Sequence, residues 1–173
     1  MWKKEILLRA LRQSILLFFI AAAAGLLVNA MRPSALPVVA DWSPEARLKT
    51  DQGESMVISL EEARKLCASQ QAVFVDARPP EAYREGHILC ARNLPLKDVN
   101  TLISSVMADI PLEEIIVVYC DGEECSLSED LARELNFRGY DNVRVLVNGW
   151  TRWAEAGLPI EQGDKPISSP VLG

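Results

Sequence analysis

The stretch Ile115-Ile116-Val117-Val118-Tyr119-Cys120-Asp121-Gly122-Glu123-Glu124-Cys125-Ser126 decides how this chain is read. Its first part is apolar at every position and begins with β-branched residues, the pattern of a strand buried on both faces in a parallel sheet. The strand ends on Cys120 and a short loop with Gly122 follows. Ser126, with Glu129 three residues on, then has the spacing of a capping box that opens a helix. A thiol at a strand's carboxyl end, facing a helix N-terminus, sits where loop N–H groups and the helix dipole lower its pKa, and this arrangement points to sulfur chemistry. Asp121, Glu123 and Glu124 act in the opposite sense, because like charge disfavours a thiolate. The balance turns on whether those carboxylates point into the loop or away from it.

Strand and helix patterns continue on either side. Met56-Val57-Ile58 reads as a short strand, and Ser59 with Glu62 as the capping box of a helix whose inner face is Ala63, Leu66 and Cys67. Val73-Phe74-Val75 is a fully apolar strand ending at Asp76. A brief helix is expected over Glu81 to Arg84 after Pro79-Pro80, and Gly86-His87-Ile88 turns into an extended piece near Cys90 to Leu94. Leu96, Val99, Leu102, Ile103, Val106, Met107 and Ile110 recur at helical spacing up to Pro111, which is expected to stop the helix. Leu127, Leu131, Ala132 and Leu135 mark the next helix, and Val143 to Val147 the last strand. Asn148-Gly149 forms a turn, and a closing helix with Trp150, Trp153 and Ala154 on one face ends at Gly157. Alternating strands and helices, with strands apolar on both faces, predict an α/β domain: a central parallel sheet of about five strands with helices on both faces.

Ahead of this domain, the nineteen residues between Arg12 and Arg32 carry no charge. At about 1.5 Å per residue they match the hydrocarbon thickness of a bilayer. Lys3, Lys4, Arg9 and Arg12 precede them against the single acid Glu5, which directs the short N-terminus to the cytoplasm. The expected organisation is a cytoplasmic N-terminus over 1–13, a transmembrane helix over 14–31, a Pro-containing linker over 32–55, the domain over 56–163 and a tail over 164–173. The protein would then sit in the inner membrane as a single-pass protein with its domain facing the periplasm or outside. A cleaved signal peptide is the other reading, with Val38-Val39-Ala40 before Asp41 as its small-residue site.

Beyond residue 31 the chain has 14 bases against 23 acids, a net charge of −9. An acidic domain without clustered Lys or Arg excludes nucleic acid as a partner. Four dispersed cysteines, Cys67, Cys90, Cys120 and Cys125, do not make a disulfide-framework mini-protein. They also lack the paired spacing of a metal site, and with a single histidine no metal and no cofactor is expected.

Residues from about Val57 to Glu161 resemble a single rhodanese-like domain. The carrying motifs are Phe74-Val75-Asp76-Ala77-Arg78, Tyr83 with Gly86-His87-Ile88, and Ala91-Arg92-Asn93-Leu94-Pro95. They continue through Val117-Val118-Tyr119-Cys120 and Leu131-Ala132 to Gly139-Tyr140, then Val143 to Leu146 with Gly149-Trp150 and Trp153. The resemblance implies a sulfurtransferase or sulfur carrier in which Cys120 is catalytic. It takes a sulfane sulfur as a persulfide and passes it to a thiophilic acceptor, and the partners are thus a sulfur donor and acceptor, small molecule or protein. The substrate-binding loop is then Asp121, Gly122, Glu123, Glu124, Cys125 and Ser126, with the N–H groups from Gly122 to Ser126 around the persulfide. Thiosulfate users of the family carry basic or neutral loops, whereas each carboxylate here would repel the dianion by about a kcal/mol if near and partly solvated. Poor use of thiosulfate is expected. Related phosphatases need a longer loop ending in arginine, and Ser126 stands after this one.

Two alternatives stand beside the persulfide reading. Cys120 and Cys125 bracket four residues, and in an oxidising compartment they form a redox dithiol if their side chains point together. A catalytically inactive interaction module would instead use the acidic loop to dock a basic partner. Among the other singled-out residues, Cys67 and Cys90 are read as packing, and His87 as an imidazole bonded to backbone. Asp76 and Arg78 are read as a structural pair at a strand end, and Trp150 and Trp153 as core.

Overall fold

The structure is a computed structural model that describes residues 2–33, 35–36, 41, 43–50, 53–122 and 125–164. Val38, Val39, Ala40, Glu123, Glu124 and residues 165–173 of the expected tail lie outside the described residues. The chain divides into two units, residues 1–41 and 42–173. The first is built on α1 (Trp2–Ala30), which is long and apolar enough to cross a membrane, a test that a signal sequence near the N-terminus also meets. The Asn29 side chain closes the end of this helix, donating to Leu36 O and accepting from Leu36 N at 2.8 and 2.9 Å.

In the second unit the order is α2 (Pro44–Arg47), α3 (Leu60–Ala68), β1 (Val73–Asp76), α4 (Pro80–Glu85), β2 (His87–Ile88) and β3 (Arg92–Asn93). Then come α5 (Val99–Val106), β4 (Ile116–Tyr119), α6 (Leu127–Phe137), β5 (Val143–Leu146), α7 (Gly149–Glu155) and β6 (Ile160–Glu161). Four strands form an all-parallel sheet in the order β3-β1-β4-β5, with Val75 opposite Val118 and Val118 opposite Val145. The expected fifth strand is reduced to one parallel bridge, Val57 to Val145, with Ile58 N–H donating to Val145 O and Val145 N–H to Met56 O. Ser59 opens α3 directly after this stretch. A small antiparallel pair, β2 with β6, packs beside the sheet, tied to β4 by Ile88 N–H donating to the Tyr119 hydroxyl oxygen.

Both faces of the sheet are covered, and the two-residue period of each strand decides which residue meets which layer. Val75, Ile116, Val118, Val143 and Val145 pack with Ile103 and Val106 of α5 and Leu131, Ala132 and Leu135 of α6. Phe74, Val117, Tyr119 and Leu146 pack on the other face with Ala63 of α3, Tyr83 of α4 and Trp153 of α7. Trp153 is fully buried, as expected of a core residue, and its indole N–H donates to Pro159 O at 2.9 Å.

Several local expectations change. The amphipathic stretch before Pro111 begins as a 3-10 turn at Leu96–Asp98 and its α-helix ends at Val106, ahead of the proline. Ser59 caps α3 by accepting from Glu62 N–H at 3.2 Å. Ser126 makes no such bond, because its backbone is already helical (φ −78°, ψ −11°) and Glu129 turns to Arg47 at 2.9 Å. That ion pair and the buried Leu48 fasten residues 43–50 to the domain, so the stretch read as linker up to 55 is in its second half part of the folded unit. Cys90 is exposed and stands at φ +65°, which corrects its reading as a packing residue.

Candidate active site

Cys120 directly follows β4, and the same period that turns Ile116 and Val118 toward α6 turns Cys120 that way as well. The chain reaches β3 on one side of β1 and crosses back to β4 on its other side, so the strand order reverses between β1 and β4. The carboxyl ends of strands at such a reversal are where open α/β sheets bind ligands. Cys120 lies there, 1% exposed.

Cys120 and Cys125 are joined as a disulfide, with α-carbons 6.5 Å apart. The Cys120 Sγ also lies 3.3 Å from the Cys125 carbonyl oxygen and 3.2 Å from Ser128 Oγ. A disulfide sulfur has no proton, so Ser128 is the donor in that contact. Ser128 is buried in the first turn of α6, whose N-terminus presents its positive end to the same sulfur.

Two of the loop N–H groups, those of Gly122 and Cys125, are turned elsewhere. Gly122, at φ +85°, donates to Asn148 Oδ1 at 2.9 Å, and Cys125 N–H donates to Gly122 O at 3.4 Å. The carbonyl of Cys120 accepts from Trp150 N–H at 3.0 Å, and the Asp121 carboxylate accepts from the Thr151 hydroxyl. Asp121, Gly122 and Ser126 are exposed. Of the expected loop, then, the structure brings Cys120 and Cys125 together and ties Asp121 and Gly122 to the start of α7. Glu123 and Glu124 lie outside the described residues.

Beneath the loop lies a buried polar pair. Arg78 Nη2 donates to Asp76 Oδ2 at 2.6 Å and to Gly86 O at 2.7 Å, and its guanidinium stacks 4.6 Å over the Trp150 ring. Burial works against the charge of Arg78, yet its hydrogen bonds to Asp76 and the nearby Asp76 charge hold its pKa above the ordinary value. Tyr119 is pushed well above the usual phenol range by burial and then by Asp76. Its hydroxyl oxygen accepts from Ile88 N–H at 3.1 Å. His87 is buried with Nδ1 2.8 Å from Tyr83 O, the backbone bond its sequence context suggests. Cys67 is half-buried, and burial followed by the neighbouring Cys90 raises its thiol pKa. Among the described residues no group of three or more His, Cys, Asp or Glu side chains is arranged to hold a metal ion.

A family model for the rhodanese-like domain matches residues 59–156. The chain belongs to the rhodanese-like family. It is 32% identical over 98 residues to a sulfurtransferase of Allochromatium vinosum, covering 57% of this chain and 86% of that protein. It is 33% identical over 93 residues to an HTH-type transcriptional regulator of Mycobacterium tuberculosis, covering 54% of this chain and only 39% of that protein. Among solved structures, the thiosulfate sulfurtransferase from Pseudomonas aeruginosa matches with a TM-score of 0.53 at 28% identity, covering 62% of this chain and 20% of that one. Homology of the rhodanese-like domain to sulfurtransferases supports a role in sulfur transfer in general terms.

Sequence reasoning missed Ser128, Asn148 and Thr151. Asn148 was open to discovery: it stands before Gly149, and asparagine is one of the few residues at ease at the left-handed φ of +49° found there. Ser128 and Thr151 carry no local signal, since their role comes from the packing of α6 and α7 against the loop.

Proposed function

We propose that the rhodanese-like domain carries a sulfane sulfur as a persulfide on Cys120 and passes it to a thiophilic acceptor, a small molecule or a protein. The observation that carries this reading is the position of the Cys120 sulfur: at the strand reversal, against the N-terminus of α6, and 3.2 Å from the Ser128 hydroxyl. In the loaded state the loop N–H groups from Gly122 to Ser126 surround the outer sulfur, and the Ser128 hydroxyl donates to Sγ. Asp121 and the two glutamates beside it disfavour thiosulfate, a dianion, so the donor is a protein or low-molecular-weight persulfide. Helix α1 anchors the chain in the cytoplasmic membrane, with the domain on the outer side.

The test is mass spectrometry of reduced protein after incubation with persulfide donors and, separately, with thiosulfate. A gain of one sulfur from the persulfide donors, lost in Cys120→Ser, is the expected result. No adduct with any donor would sink the reading. Protease added to intact spheroplasts should degrade the domain, and its protection there would refute the proposed orientation.

The dithiol reading is favoured by one observation, the Cys120–Cys125 disulfide. It predicts reversible reduction of that pair at a defined potential.

A further inference from the structure

Both the persulfide and the disulfide use the same sulfur atom, Cys120 Sγ, so one molecule cannot hold both at once. The described loop also suits only one of them. With the disulfide closed, Gly122 N–H is bound to Asn148 and Cys125 N–H to Gly122 O, so neither is free to receive a sulfane sulfur. The closed loop is therefore an arrangement that leaves no place for an outer sulfur on Cys120.

We infer that, when no thiophilic acceptor takes the sulfur, Cys125 is a resolving nucleophile that releases the sulfur carried on Cys120 as sulfide, making the two states successive steps of one cycle. This rests on the persulfide reading above. The Cys125 thiolate attacks Cys120 Sγ, the inner sulfur of the persulfide. The Cys120–Cys125 bond forms and the bond from Sγ to the outer sulfur breaks. That sulfur leaves with the bonding pair and its proton as hydrosulfide. The sulfane sulfur is reduced by two electrons and the two cysteines are oxidised to the disulfide. An external dithiol, either a protein with paired cysteines or a low-molecular-weight dithiol, then supplies two electrons and two protons and restores both thiols.

The geometry favours this step in three ways. The α-carbons, 6.5 Å apart, lie within the range that a disulfide spans, so the product is reached without unfolding β4 or α6. Cys125 is tethered five residues from its target, which gives it the high effective concentration of an intramolecular reactant. It is also partly exposed, whereas Cys120 is buried, so an outer thiol reaches Cys125 more readily than Cys120 when the disulfide is reopened.

The experiment uses the full chain in detergent micelles, reduced, desalted, loaded with a low-molecular-weight persulfide and desalted again without added thiol. Wild-type protein should release sulfide equivalent to the bound sulfane sulfur and acquire the Cys120–Cys125 disulfide by peptide mapping. In Cys125→Ser the persulfide on Cys120 should live roughly ten-fold longer or more and release no matching sulfide. Equal persulfide lifetimes in the two proteins would overturn the inference while leaving the persulfide reading intact. So would a persulfide mapped on Cys125 in the wild type, which indicates attack on the outer sulfur. No adduct on Cys120 in either protein would overturn both.

Discussion

The Gly122 N–H donates to Asn148 Oδ1 over 2.9 Å, which ties the start of the Cys120 loop to the residue that opens α7. Asn148 holds a left-handed backbone that glycine also adopts, so Asn148→Gly removes the acceptor without straining the turn. A hydrogen bond of this kind contributes about 1 kcal/mol net, or roughly a five-fold change in an opening equilibrium. Amide exchange at Gly122 should accelerate by about that factor in the variant, measured by NMR on the disulfide form. Unchanged exchange would show that the loop is held by something other than Asn148.

Gly149 is required by close approach. A β-carbon there would lie 2.6 Å from Tyr119 Cβ and 3.1 Å from Leu146 Cγ, both in the packed face beneath the loop. Neither atom is the end of a flexible chain, so the backbone of α7 must move. Gly149→Ala should cost at least about 1–3 kcal/mol, the usual range for overpacking. Urea unfolding measures it, and a loss below about 0.5 kcal/mol would contradict the close packing of α7 on β4.

The fold was legible where the chain's local pattern and its tertiary environment agree. Val73–Val75 and Ile116–Tyr119 are apolar on both faces because helices cover both faces, and that cause is visible in the sequence; Val143–Leu146, an outer strand of the sheet, shares the pattern except at half-buried Arg144. The capping box at Ser126 failed because Glu129 found a stronger partner in Arg47, 82 residues away, and no local reading reaches that far. Cys120 was legible from its place after a buried strand. Its contacts with Ser128 and Cys125, and the anchoring of Asp121 and Gly122 by Thr151 and Asn148, depend on how three separate elements meet. Met56–Ile58 has strand character in sequence, yet the geometry leaves it one bridge beside β5.

Tyr119 provides the acceptor for a buried backbone donor. Its hydroxyl oxygen receives Ile88 N–H at 3.1 Å, and both residues are fully buried. Tyr119→Phe keeps the ring and leaves Ile88 N–H with neither this acceptor nor water. The expected loss is about 1–3 kcal/mol, the cost of an unsatisfied buried donor. Thermal and urea unfolding should agree on the loss, and wild-type stability in the variant would mean that Ile88 N–H finds another acceptor.

The buried pair under the loop is more demanding. Arg78 makes a forked contact with Asp76 and reaches Gly86 O, which no lysine reproduces, and Asp76 is completely buried. Arg78→Met leaves that carboxylate without its cation, a situation that costs roughly 3–5 kcal/mol. The double variant Asp76→Asn with Arg78→Met should recover part of the loss, because it removes the uncompensated charge. If the double variant is as unstable as the sum of the two single ones, Asp76 and Arg78 are not energetically coupled.

Asp109 gives a pH signature that can be separated from the loop. Hydrogen bonds from Arg92 hold its carboxyl down at about 2, below an ordinary 3.8. A depressed folded-state pKa contributes stability that is present above the unfolded value and is lost as pH falls through the folded one. The Asp109 side chain is 31% exposed, so solvent and salt screen the pair and the contribution is modest. Asp109→Asn should therefore be less stable than wild type at pH 5, with the gap in urea midpoints closing as pH is lowered from about 4 toward 2. Added salt should narrow the gap at pH 5 as well. A gap that stays constant across this range would mean that Arg92 supports the end of α5 through its 2.6 Å bond to Val106 O, with no share from the charge of Asp109.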